Sequence, residues 1–162
     1  MKSWKVNDVK KFMQEMLLKN TFDLYLLEEA TLNAIMKMEF DGHLYEGYLS
    51  KEELESEKCH GNCVFYADVR HIFLECIKGA NTPQSFKFVF KAPKELEGRM
   101  AKESETPVDS IGGLYINVSF KEGQLNITSG VSLKVFSVDK SLDVAWENYV
   151  QAFLERSGFD WE

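Results

Sequence analysis

Two rhythms in the sequence predict an α+β fold, a mostly antiparallel sheet covered by N-terminal, central and C-terminal helices. The first is a period of two over Leu114-Tyr115-Ile116-Asn117-Val118-Ser119-Phe120, renewed at Leu125-Asn126-Ile127-Thr128 and at Val131, Leu133 and Val135. Successive strand side chains point to opposite faces, so alternation of this length describes half-buried antiparallel strands. The second is a recurrence at three and four residues over Leu142, Ala145, Trp146, Tyr149, Val150, Phe153 and Leu154, one apolar stripe along a helix. Strands that cluster in sequence, with helices between the clusters, place the chain in the α+β class and not among parallel-sheet folds.

The remaining elements follow in chain order. Asn7 is a candidate N-cap for a helix from Asp8 to Leu18, whose Val9, Phe12, Met13, Met16 and Leu17 share one face. From Leu24 to Phe40 the even positions are mostly apolar, which predicts two strands, roughly 23–33 and 35–48, joined by a bend. A charged run from Ser50 to Lys58 reads as a short surface helix, and Cys59-His60-Gly61-Asn62-Cys63 as a loop. Phe65, Val69, Ile72, Phe73, Cys76 and Ile77 form a second helical stripe, stopped by Lys78-Gly79. Ser85 to Lys91 is a strand with three phenylalanines on one face. Pro93 opens a short helix through about Lys102, and Glu103 to Gly113 is the longest loop. Three strands and the last helix complete the chain, which is expected to form one domain over residues 1–162.

Bulk properties narrow the function classes. The chain has 162 residues, 44% of them hydrophobic, and a formal charge of -7. An acidic surface with scattered lysines and three arginines disfavours nucleic acid as a partner. No apolar run reaches the ~20 residues that span a bilayer, so no membrane partner is expected. The charged N-terminus does not resemble a secretory signal, and three cysteines do not suggest a disulfide framework. The expected compartment is the cytoplasm.

Several stretches resemble a family of small bacterial proteins known only as a domain of unknown function. They are Thr21-Phe22-Asp23 with Leu26-Leu27-Glu28-Glu29-Ala30, Phe40-Asp41-Gly42-His43-Leu44, and Ile77-Lys78-Gly79 with Thr82-Pro83 and Ser85-Phe86-Lys87. Thr128 to Lys134, Val138 to Leu142 and Ala145-Trp146 belong with them. The resemblance implies a single cytosolic domain with strands after Phe22 and implies no activity. The Cys59–Cys63 loop departs from the family pattern.

Five groups of residues carry chemistry worth weighing. Cys59, His60 and Cys63, with His71 from the next helix, are zinc-type ligands, although the spacing is Cys-x3-Cys and no second cysteine pair exists. Asp41, His43, Arg70 and His71 have acid–base potential, since a carboxylate can orient a histidine that titrates near neutrality. Glu28, beside Glu29, becomes informative if it turns inward, because a buried carboxylate must be paired or protonated. Phe86, Phe88, Phe90 and Tyr149 either fill the core or line an apolar pocket between the sheet and the last helix. Phe159 and Trp161 either dock on the chain's own surface or anchor a second copy or another partner.

No nucleophile elbow, phosphate-cradling loop or His-x-x-x-His pair is present. The expected function is therefore a non-enzymatic binding or protein-interaction module without a cofactor, a homodimer being one form of the partnership. The alternatives are a small-molecule-binding protein or enzyme with a pocket under the last helix, and a metal-binding protein acting through the Cys59–Cys63 loop.

Overall fold

The computed structural model describes residues 1–162 apart from 46, 56–61 and 80. One antiparallel sheet runs in the order β1 (Ser3–Val6), β7 (Gln124–Leu133), β6 (Ile111–Lys121), β5 (Ser85–Lys91), β2 (Leu26–Asn33), β3 (Lys37–Asp41), with β4 (Val64–Phe65) also paired to β2. Around it lie α1 (Val9–Leu17), α2 (Lys51–Glu55), α3 (Tyr66–Ile77), α4 (Lys94–Glu103) and α5 (Ser141–Arg156). Among the described residues no helix is long and apolar enough to cross a membrane.

Alternation decides which face of the sheet is covered. Leu114, Ile116, Val118 and Phe120 of β6 are buried, whereas Tyr115, Asn117 and Ser119 between them are not. The buried row continues across β5 as Phe86, Phe88 and Phe90 and across β2 as Leu32, Ala30 and Leu27. Helices close over this row through their rings. Phe73 of α3 meets Phe88 edge-on at 5.0 Å, and Phe22 stacks on Phe90 at 4.7 Å while meeting Phe153 of α5 at 5.3 Å. Such offset and edge-to-face pairs add about 0.5–1.5 kcal/mol each beyond area burial. Trp146 of α5 is fully buried, and its indole N–H donates to the Tyr115 carbonyl at 2.9 Å.

Several sequence expectations are corrected. The predicted three-strand meander is two strands, because Ser129-Gly130 lies inside β7 and does not turn the chain. Ser129 pairs Ile116 and Gly130 pairs Tyr115, while Val135 lies beyond the strand and is exposed. The turn is at Glu122-Gly123, both with positive φ, which matches the right-handed twist of a two-residue hairpin. Asp8, not Asn7, caps α1, accepting from the Lys11 N–H. The strands expected at 23–33 and 35–48 are shorter, because Phe22 and Tyr25 enter the core from a turn. The charged helix is described over Lys51–Glu55, and residues 56–58 lie outside the described residues.

β1 escaped prediction at four residues. Its outer edge is covered by the chain's own end. Val6 bridges Trp161, the Glu162 N–H donates to the Lys5 carbonyl at 2.9 Å, and Phe159 is buried with its ring 4.8 Å from Phe12. Both tail aromatics therefore dock on the protein itself.

Candidate functional site

The site forms where β2 changes partners along one edge. Glu29 to Asn33 pair with β3, while Leu26 and Leu27 pair with β4. On the other edge the register with β5 slips between Leu27 and Glu29, which makes Glu28 the extra residue of a bulge. A bulge leaves one residue unpaired and re-aims its side chain. Gly42 fills the gap opposite. Its N–H donates to the Glu28 carbonyl at 3.0 Å, and its own carbonyl accepts from the Val64 N–H at 2.9 Å. A Cβ at Gly42 would lie 1.8 Å from the Leu27 carbonyl oxygen, so only glycine permits this approach. Immediately beyond it, His43 pairs with Cys63 in an isolated antiparallel bridge.

Three backbones thus deliver Glu28, His43 and Cys63 to one place, with ligand atoms all within 4.8 Å of one another. The Glu28 carboxylate spans the other two. Oε1 lies 3.1 Å from His43 Nε2, and Oε2 accepts from the Cys63 thiol at 3.2 Å. The second imidazole nitrogen, Nδ1, is 2.6 Å from Asp41 Oδ1, an oxygen that also accepts the His43 backbone N–H at 2.9 Å. Exposure is graded across the cluster, with Cys63 buried, Glu28 partly covered, His43 half exposed and Asp41 at the surface.

Electrostatics follow from that order. The Asp41 hydrogen bond raises the His43 pKa, burial opposes it, and the Glu28 charge adds to the rise. His43 in turn holds Asp41 below the ordinary carboxylate range, first through its backbone N–H and then through its ring. Burial, and then the Glu28 carboxylate, pushes the Cys63 thiol up to about 12. A nucleophilic cysteine needs a depressed pKa and a cationic neighbour. Here a carboxylate stands between thiol and imidazole, so without a cation the sulfur stays protonated. Tyr115 is displaced upward by burial and then by the charges of Glu28 and Cys63. His43 also borders a hollow of about 750 Å³ with Leu44, Tyr45, Tyr48, Leu49 and Val64.

The structure gathers some of the sequence candidates and separates others. Asp41 and His43 meet. Arg70 instead pairs with Asp23, at 3.0 Å from Nε, and His71 is exposed on α3 outside the cluster. Of the described members of the zinc-type set, Cys63 joins the cluster with Glu28 and His43, and His71 does not. Cys59 and His60 lie outside the described residues. Phe86, Phe88 and Phe90 are buried in the core, whereas Tyr149 borders a groove beside α5. Glu28 has turned toward partners, while Glu29 is exposed beside Lys87. Sequence reasoning missed the joining of Glu28 to His43 and Cys63, since a bulge leaves no periodic trace. Asp41-Gly42-His43 was the available signal.

A family profile described as "Family of unknown function (DUF5721)" matches residues 15–162. The chain belongs to this family. The match takes in Glu28, Asp41, His43 and Cys63. No curated protein and no solved structure matches the chain.

Proposed function

We propose that this DUF5721 member is a binding module for a transition-metal ion of the zinc class, held by Glu28, His43 and Cys63. The observation that carries the reading is the convergence of carboxylate, imidazole and thiol with a carboxylate on the far imidazole nitrogen. A metal-bound histidine characteristically gives its other N–H to a carboxylate, which fixes the ring and strengthens the donor. Asp41 stands in that position, 2.6 Å from Nδ1. Zinc accepts S, N and O donors at about 2.0–2.3 Å, which sets neighbouring donors roughly 3.3–3.6 Å apart in a tetrahedron. The two Glu28 contacts, 3.1 Å from Oε1 to the imidazole and 3.2 Å from Oε2 to the thiol, lie near that range, and the three ligand atoms all fall within 4.8 Å of one another. Three protein ligands leave a fourth position for water or another ligand.

A cation also inverts the local acid–base logic, because a coordinated thiol gives up its proton. Free thiols at Cys63 and Cys76 fit a reducing compartment, and we place the protein in the cytoplasm on that ground. Since one contiguous core runs from Trp4 to Phe159, residues 1–162 are taken as a single folding unit.

Calorimetric titration of zinc into the full chain tests the reading. One equivalent should bind at micromolar or tighter dissociation constant, with about one proton released near neutral pH from the thiol. Cys63→Ser and His43→Asn should each weaken binding at least tenfold. Saturating zinc without heat or proton release, or variants that bind as wild type does, would refute it.

A further inference from the structure

An open groove of about 990 Å³ lies beside α4 and α5. Tyr25, Leu96 and Phe153 in its lining are buried apolar residues, and Leu24 is left exposed at the rim. Two of the three arginines in the chain, Arg99 of α4 and Arg156 of α5, also line it. Both guanidiniums approach the same ring, Tyr149, with the central carbons 5.9 and 5.8 Å from its centroid. Tyr149 is itself stacked on buried Trp146, 5.5 Å away and nearly parallel, so it is a fixed post that both cations approach.

Charge accounting sets this groove apart. The chain is acidic overall, yet neither Arg99 nor Arg156 makes an ion pair among the described residues. The carboxylates that share the groove are already engaged. Glu15 takes Lys19 and Thr21, Asp23 takes Arg70, and Glu95 has a partner of its own. Arg156 is close enough to the phenol of Tyr25 to oppose the rise that burial imposes on it. What remains is a trough of ligand size with an apolar lining and two guanidiniums that carry no ion pair among the described residues, whose forked donors suit carboxylate or phosphate oxygens.

We propose that this groove binds a small amphipathic anion, its apolar body over Tyr25, Leu96 and Phe153 and its carboxylate or phosphate between Arg99 and Arg156. This site is independent of the metal reading. The ligand is defined by two features together: inorganic phosphate lacks the body, and a neutral or cationic amphiphile lacks the head.

Titrating the full chain with decanoate, decyl phosphate, decyltrimethylammonium and inorganic phosphate, followed by tryptophan fluorescence and calorimetry, tests both features. At least one of the two anionic amphiphiles should bind with a 1:1 stoichiometry, at least tenfold more tightly than decyltrimethylammonium and inorganic phosphate. The stronger of the two identifies the head group as carboxylate or phosphate. The double variant R99Q/R156Q should lose that binding at least tenfold while keeping its circular dichroism spectrum and melting temperature, because both side chains are exposed. Glu28→Gln should leave it unchanged. Equal binding of anionic and cationic amphiphiles, no binding of either anion, or unaltered affinity in R99Q/R156Q would overturn the proposal.

Discussion

The region from Leu114 to Leu154 and the region from Leu26 to Cys63 are built from the same strand and helix physics to opposite ends. In the strands and helix of the first, one apolar row disappears from water: Ile116, Val118, Leu125, Ile127, Trp146, Val150 and Leu154 are all fully buried. In the second, strands are short, one carries a bulge, and polar side chains face one another across 3 Å-scale gaps. Regular pairing uses up backbone hydrogen bonds and leaves side chains only packing to do. An interrupted ladder frees side chains from the alternation and lets them converge.

The contrast can be broken most forcefully at its regular end. Trp146→Ala removes a fully buried indole and its hydrogen bond to the Tyr115 carbonyl. It should cost about 3–5 kcal/mol in urea or thermal unfolding, the range for emptying large aromatic sites. A variant as stable as wild type would mean that α5 does not carry the core.

Next in size is Gly42→Ala. The added methyl meets the Leu27 carbonyl at 1.8 Å, backbone against backbone, so the strand junction must part. About 1–3 kcal/mol of stability should go, as in overpacked sites. Metal affinity should fall with it, because His43 and Cys63 would be carried away from Glu28. Unchanged metal affinity in a destabilised Gly42→Ala variant would show that the junction does not position the ligands.

The fold was legible in the sequence wherever burial followed a period. The stripes at Val9–Leu17 and Leu142–Leu154 and the alternation of β5 and β6 each mark a face that had to meet the core. β1 was not legible, because four residues, Ser3–Val6, are too few to show a period. The division of β7 into two runs came from reading Ser129-Gly130 as a turn. Pairing with Ile116 and Tyr115 overrode that local preference. The site was half legible. Asp41 and His43 lie two residues apart, so their contact could be anticipated, but Glu28 and Cys63 reach them only through tertiary pairing. His71 was drawn into two candidate groups by residue type and by its place on the following helix, and among the described residues it lies exposed on α3 outside the Glu28, His43 and Cys63 cluster.

Smaller effects sharpen the chemical end of the contrast. Asp41→Asn keeps all three donor atoms and removes only the charge behind His43. It should weaken zinc binding about 10–100-fold, the usual loss for an outer partner of a metal-bound histidine, and less than Cys63→Ser does. Smallest is the pH dependence of the metal-free protein. The His43 pKa is raised in the folded state, so its contribution to stability is full below the unfolded value near 6.5 and disappears as pH rises through the folded value. Asp41 is lowered, so its share is present above the ordinary carboxylate range and is lost as pH falls through its folded value. Denaturation midpoints of wild type against His43→Asn should therefore converge at alkaline pH, and parallel curves would contradict the pairing. Exposure of both groups keeps this effect small.

Cobalt(II) titration of the purified, metal-free chain bears most directly on the metal centre, because cobalt takes zinc-type sites and its absorption reports both sulfur ligation and geometry. A thiolate-to-cobalt charge-transfer band should appear and saturate at one equivalent, together with intense visible bands of a four-coordinate ion. The charge-transfer band should vanish in Cys63→Ser. A spectrum that stays that of the aqueous ion, or a charge-transfer band that survives Cys63→Ser, would contradict the assignment of Glu28, His43 and Cys63 as the metal ligands.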